Sequence, residues 1–518
     1  MEDYMPKRTF VYGATILLGA NLLNRMLGFA YQYLIMAHIG GEAYGLFTMV
    51  FPIYMLALVF TTAGIPLAIA KMVSEEVSFG RYLQAKAIFR LALKILGVSG
   101  AAVAIILYFV SPYLVQRVFP DPRVLTVFQI CTPAIFIVSI SSVFRGYFQG
   151  LQNMVPTAIS QICEQTIRVA FGYTAALRLL DSGVEWAAAG LALGMLVGEV
   201  IGLLAIVFQY QRANLKFQAE SPRASYSSRH ILHKLWQLAS PVTVGRLLST
   251  GLSALDAMLI PLRLQVAGYA AREAVTLFGQ LGGAAFTLLT FPSVFTFALA
   301  TSLVPAISEA ATQRQFHVVR ARSAEAIRLT ILIGIPCLII LFYFSLPLTA
   351  FFKSTEIAPV LRVLALGGIF SYIQQTTTGI LQGLGKVHLP VLHSIIAAIL
   401  RIPILVYLTG LPQWGLRGTA WAYTLGFVIM AFLNLLAIIR NTGMPVDLQR
   451  FVLQPLSGGI GMLLVFHFLD PILGRHVVGY LGEFSLGLTI YSAILCFNGA
   501  VTYNDLKRLP WIGKFLPL

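Results

Sequence analysis

Long apolar stretches, broken by short polar connections, recur along the whole chain. We count fourteen of them. In the first half they lie at about 10–36, 44–70, 88–110, 124–148, 157–180 and 187–210. In the second half they lie at about 233–260, 278–305, 326–350, 360–383, 389–410 and 417–439, with a last pair at about 451–470 and 484–502. Crossing the hydrocarbon of a bilayer takes ~20 mostly apolar residues as a helix. A helix also satisfies its own backbone hydrogen bonds where no water can. The pattern therefore predicts an all-α integral membrane protein with fourteen transmembrane helices. The first stretch carries Asn21, Asn24 and Arg25 and reads as a retained span, not a cleaved signal peptide.

Composition agrees with this reading. Of 518 residues, 58% are hydrophobic and 11% charged, against about a quarter charged in a soluble domain. So few charges cannot cover a water-facing surface. Cys131, Cys163, Cys337 and Cys496 all fall in apolar stretches without CxxC pairing, as small apolar residues would.

The net charge of +16 is explained by topology better than by nucleic acid, which is not expected as a partner. With the N-terminus inside, 22 of the 36 Lys and Arg residues fall in the termini and inner connections and 9 in the outer ones. The bias places both termini in the cytoplasm and requires an even number of spans.

The chain also repeats itself. "RGYFQGLQNMVPTAISQICEQTIRVAF" in spans 4–5 resembles "TTGILQGLGKVHLPVLHSIIAAILRIPI" in spans 10–11, aligning Gln149-Gly150 with Gln382-Gly383 and Arg168 with Arg401. Two copies of one six-helix unit in the same orientation are related by an axis along the membrane normal. The expected organisation is an N-terminal lobe over 1–210, a basic cytoplasmic linker over 211–234, a second lobe over 235–440 and two further helices over 441–518.

Charges inside spans are costly and usually face a cavity or a partner. Arg25 and Arg246 sit in the first span of each copy, and a guanidinium binds phosphate through two parallel hydrogen bonds. Glu164 and Arg168, four apart, share a helix face; they form a structural pair or line the cavity. Arg401 is the repeat partner of Arg168. The expected substrate cavity is thus lined by Arg25, Arg246, Arg168, Arg401 and Glu164. Asp256 is the candidate for ion coupling, with an interfacial position as the alternative. Gly190, Gly194, Gly198 and Gly202 form a strict four-residue row that lets another helix approach closely, with Glu199 beside it. Prolines in or near spans, among them Pro52, Pro66, Pro292 and Pro305, are expected kinks or hinges. There is no GxxxxGK[ST], no HExxH and no convincing metal-ligand spacing, so no catalytic site, cofactor or metal is expected.

Several blocks carry a family resemblance: "NRMLGF" at 24–29, "GIPLAIAKMVSE" at 64–75, "FRGYFQG" at 144–150, "PTAISQICEQTIRV" at 156–169, "ALDAMLIPLRLQ" at 254–265 and "LATSLVPAISEA" at 299–310. Together they resemble the stage V sporulation protein B-type polysaccharide exporters of the multidrug/oligosaccharidyl-lipid/polysaccharide (MOP) flippase superfamily. The resemblance implies two six-helix lobes plus two C-terminal helices and alternating access around a cavity. It also implies a lipid-linked glycan as cargo, in the cytoplasmic membrane. The related MurJ-type lipid II flippases carry SRxLGFxRD in the first helix. Here Arg25 matches the first arginine, while Tyr31 and Gln32 replace the second arginine and the aspartate.

The expectation is a monomeric, non-enzymatic flippase for an undecaprenyl-pyrophosphate oligosaccharide or a peptidoglycan precursor. Membrane lipids, and cell-wall synthesis proteins, are its expected partners. The alternatives are a multidrug or organic-cation antiporter of the same superfamily, or a non-transporting scaffold for cell-wall synthesis.

Overall fold

The computed structural model describes residues 10–62, 64–214, 228–445, 447–473 and 476–501. The termini and most of the 211–234 linker, on which part of the orientation argument rests, lie outside the described residues. Among the described residues the secondary structure is helical throughout, with no strand. Twelve of these helical segments are long and apolar enough to cross a membrane, against fourteen expected spans. The expected spans 10–36 and 157–180 are helices as well, Phe10–His38 and Val155–Leu179, but are not among the twelve. Each carries an unusual load of polar residues: Asn21, Asn24, Arg25 and Gln32 in one, Gln161, Glu164, Gln165 and Arg168 in the other.

The chain packs as two compact units. The first holds the described residues up to Thr287, with Phe352–Ser354. Its helices are α1 (Phe10–His38), α2 (Gly41–Thr62), α3 (Ile65–Ser78), α4 (Tyr82–Val118), α5 (Val124–Gly150), α6 (Val155–Leu179), α7 (Val184–Asn214), α8 (Ser228–Val266) and α9 (Ala271–Gln280). Pro66 lies in the first turn of α3, where its missing N–H costs nothing, and the expected span 44–70 is accordingly a helix pair, α2 and α3. One core of this unit joins Ile69 and Val73 of α3, Phe89 of α4, Phe144 of α5, Ile206 of α7 and Leu235 of α8. Phe89 stacks on Tyr210 with centroids 4.9 Å apart. Helices α8 and α9 follow the expected linker in sequence and pack in this first unit, against α2 and α3.

The second unit contains α11 (Ser293–Thr312), α12 (Phe316–Tyr343), α13 (Ser345–Phe351), α14 (Ala358–Gly383), α15 (His388–Thr409), α16 (Gly415–Thr442), α17 (Gln454–Leu473) and α18 (Val477–Phe497). A π-helical turn over Leu281–Phe286 and the short α10 (Thr287–Thr290) precede α11, so the expected span 278–305 is also broken, just before Pro292. The core of the second unit gathers Ile307, Val319, Ile335, Ile380, Phe466 and Tyr491. Outward faces keep large apolar side chains exposed, such as Phe109 at 76% and Phe297 at 42%, as lipid contact allows.

Helices in lipid gain little from excluding water, so close packing of small residues holds them together. The same contacts recur inside each unit. A Cβ on Gly146 or Gly150 of α5 would meet the carbonyl oxygens of Pro66 and Ala70 at 2.6 and 2.7 Å. A Cβ on Gly379 or Gly383 of α14 would meet those of Ala300 and Val304 at 2.8 and 2.9 Å. Ser160 of α6 bonds the Gly202 carbonyl of α7, and His393 of α15 bonds Asn434 of α16. These pairs follow the sequence repeat, and each falls on the matching helix pair.

Candidate functional site

Helix α6 carries Thr157, Gln161, Glu164, Gln165 and Arg168 at helical spacing, which places them along one stripe. Its neighbour α7 brings the glycine row, and this row sets how near the stripe α7 can come. A Cβ on Gly194 would stand 2.1 Å from the Gly172 Cα. One on Gly198 would meet the Glu164 carbonyl at 2.8 Å, and one on Gly202 the Glu164 Cβ at 3.0 Å. With no side chains in the way, the two backbones touch and Glu199 reaches across to Arg168.

The result is a chain of four charges. Arg145 Nη2 donates to Glu164 Oε2 at 2.7 Å. Arg168 Nη2 donates to Glu164 Oε1 at 2.7 Å and to Glu199 Oε1 at 2.8 Å. The side chains are 9–23% exposed. The alternation cancels the net charge, which is how ionised groups are tolerated at depth in a bilayer. Arg145 Nε, Arg168 Nε and Glu199 Oε2 are buried and have no hydrogen-bond partner among the described residues.

Beside this chain lies a cavity of about 210 Å³. Gln165 and Arg168 open into it from α6, and Tyr31 and Gln32 from α1. Helix α2 contributes Tyr44, Phe47 and Phe51. The Gln32 amide donates to the Tyr44 hydroxyl at 3.0 Å and accepts from Thr287. One turn of α2 away, the backbone closes on α9: a Cβ on Gly45 would lie 2.2 Å from the Val275 carbonyl, and one on Gly279 1.9 Å from that of Gly41. An ion cluster sits at the same end. Glu42 receives Arg123 Nη1 at 2.6 Å and Arg272 Nε at 3.2 Å, and Arg123 is doubly held by Asp121. The hydrogen bonds from Arg123 to Asp121 are the chief reason its pKa stands above the usual arginine value. The connections preceding α2, α5 and α9 therefore share one end of the unit. These are connections that the arginine count put on a common face.

Glu164 and Arg168 thus come together, joined by two residues that sequence reasoning had treated differently. Arg145 falls in an inner connection by the sequence count, and Glu199, beside the glycine row, is the expected helix-to-helix hydrogen-bond partner, the role it has with Arg168. Arg25 on α1 and Arg246 on α8 are exposed and do not line this cavity. Asp256 is buried on α8. Arg401 is buried in the second unit, its guanidinium 4.5 Å over the Tyr423 ring. The wall of Tyr44, Phe47 and Phe51 was missed. Its signal was the aromatic spacing 44, 47, 51, 54, which reads equally well as ordinary helix packing.

The family model for polysaccharide biosynthesis proteins matches residues 10–311. The chain belongs to this family. A second model, MatE, matches residues 281–407. Stage V sporulation protein B of Bacillus subtilis (strain 168) is 30% identical, over 99% of this chain and 100% of its own length. The lipid II flippase MurJ of the same organism is 24% identical, covering 97% and 96%. Among solved structures, lipid II flippase MurJ in an inward closed conformation superposes with a TM-score of 0.73 at 16% identity, over 95% of this chain and 100% of that one. An inward-facing MATE multidrug resistance transporter of the MOP superfamily gives 0.67 at 16%, over 81% and 94%. The family member described here is therefore a multi-pass membrane protein that shares its fold with a lipid II flippase and a MATE multidrug transporter.

Proposed function

We propose that this transporter flips a lipid-linked glycan precursor, an undecaprenyl-pyrophosphate oligosaccharide or peptidoglycan unit, across the cytoplasmic membrane by alternating access, with both termini inside. The observation that carries the reading is the cavity of the first unit, an aromatic and aliphatic pocket with Gln32, Gln165 and Arg168 set in its wall amid apolar membrane helices. A sugar–pyrophosphate head cannot cross hydrocarbon unaided, because its polar groups would lose water without compensation. Polar side chains in a cavity wall replace part of that hydration while the isoprenoid tail stays in the lipid. Arg25 and Arg246, exposed on α1 and α8, are the proposed contacts for the pyrophosphate, which offers charge-assisted, bidentate acceptors. Arg401 and Asp256 retain their proposed roles in substrate binding and ion coupling.

The MatE match over 281–407 favours one second reading, an organic-cation antiporter. Against it, the acids near the cavity, Glu164 and Glu199, are already engaged by arginines. Reconstitution into liposomes separates the two. Labelled lipid-linked precursor should exchange between leaflets, and Arg25→Ala or Arg246→Ala should weaken substrate affinity by ~10-fold or more, through loss of charged hydrogen bonds worth ~1.5–3 kcal/mol each. Unchanged exchange in the well-expressed double variant would refute the anionic-substrate reading.

A further inference from the structure

We propose that the cavity of the first unit is a saccharide subsite, with the rings of Phe47 and Phe51 as its platform and Gln165 and Arg168 as its polar rim. This rests on the lipid-linked-glycan reading above and assigns the sugar, as distinct from the pyrophosphate, to a place.

The platform follows from α2. Tyr44, Phe47, Phe51 and Tyr54 recur at three- and four-residue spacing, so they stack along one helix face. Consecutive ring centroids are 6.4, 6.1 and 6.1 Å apart, with tilts of 39°, 39° and 37°. The outer two rings, Tyr44 and Tyr54, are buried at 8% and 3% exposure. The inner two, Phe47 and Phe51, are partly exposed and line the cavity. An aromatic row that served only to pack helices would bury its middle, and here the middle opens.

The rim is complementary. A pyranose has an apolar face of C–H bonds, which stacks on an aromatic ring, and an edge of hydroxyls that both donate and accept. Gln165 supplies an acceptor and two donors, and makes no hydrogen bond to any described residue. Arg168 is anchored through Nη2 to Glu164 and Glu199, so its charge is balanced before a ligand arrives. That suits a neutral, hydroxyl-rich ligand better than a second anion. The Gln32 amide is fixed by Tyr44 and Thr287, which shapes the wall without using up Gln165. An isoprenoid tail would have no use for Gln165. An organic cation would favour the rings but would find no free acid beside them, since Glu164 and Glu199 are held by arginines.

The test uses the full-length protein in nanodiscs and two lipid probes: undecaprenyl pyrophosphate, and the same lipid bearing an N-acetylated disaccharide. Phe51→Leu keeps apolar bulk and removes the ring face; Phe51→Trp keeps the face; Gln165→Leu removes the rim group. The leucine variants should bind the glycan-bearing lipid about threefold to tenfold more weakly. Their affinity for the bare lipid should be unchanged, and the tryptophan variant should stay near wild type for both. Equal loss for both probes, or loss for neither, overturns the subsite. So does weakening confined to an organic-cation probe such as tetraphenylphosphonium. A wild-type protein that binds neither lipid overturns the transport reading itself, and the subsite with it.

Discussion

Replacing Arg168 with leucine removes the cation that both glutamates share. Glu164 keeps Arg145 at 2.7 Å, but Glu199 loses its cation and is left beside the Glu164 carboxyl. Glu199 Oε2 already lacks a hydrogen-bond partner among the described residues, and the side chain is only 9% exposed. The variant therefore leaves the Glu199 carboxyl between α6 and α7 without a cation of its own, beside a second carboxyl. Removing one member of a buried ion pair costs about 3–5 kcal/mol, chiefly because the other charge is left uncompensated. That is roughly two to four powers of ten in the folding equilibrium. The glycine row offers no relief, since α7 cannot shift toward α6 when Gly194 already meets Gly172. Adding Glu199→Gln to Arg168→Leu removes the orphaned charge and should restore a large part of the loss, so the two effects should couple by about 0.5–3 kcal/mol. Thermal aggregation of detergent-purified protein, followed by size-exclusion chromatography, gives the ranking: wild type above the double variant, and the double variant above Arg168→Leu. If Arg168→Leu melts with wild type, or if Glu199→Gln lowers its stability further, the charge-chain account is refuted.

Two further outcomes test the packing and the outer ion cluster. Gly194→Leu should yield little folded protein, because overpacking of 1–3 kcal/mol or more is unavoidable with a Cβ 2.1 Å from Gly172; Gly97→Ala on α4, with nothing within 4 Å, should express normally. Arg123→Leu should destabilise the protein more than Arg272→Leu. Arg123 bonds both Asp121 and Glu42 at 22% exposure, whereas Arg272 is 72% exposed, and an exposed pair contributes only about 0–1 kcal/mol. Raising the salt concentration should erase the Arg272→Leu effect and leave most of the Arg123→Leu effect. Equal melting shifts for both variants would show that the cluster does not hold the α2 and α9 ends.

Much of this protein is determined by sequence alone, because hydrocarbon admits so few solutions. A run of twenty apolar residues can only be a helix there, so the membrane class and most spans were legible from hydropathy. The repeat was legible because like positions in two copies meet like constraints. Gly146, Gly150, Gly379 and Gly383 each lie against a carbonyl where no side chain fits. The spacing of Glu164 and Arg168 likewise predicted a shared face, and they do pair. Hydropathy alone could not show where a helix breaks; it was the prolines expected as kinks, Pro66 and Pro292, that marked the breaks at Gly64 and before Pro292. Nor could it show that Arg145 and Glu199, 19 residues before Glu164 and 31 after Arg168, complete the charge chain. Spacing along one helix reports which residues share its face, but not which face of which neighbour they meet. That choice belongs to tertiary packing. It is made here by the bare glycine row of α7, which brings Glu199 to Arg168, and by the turn of α2 that opens Phe47 and Phe51 into a cavity while burying the tyrosines on either side.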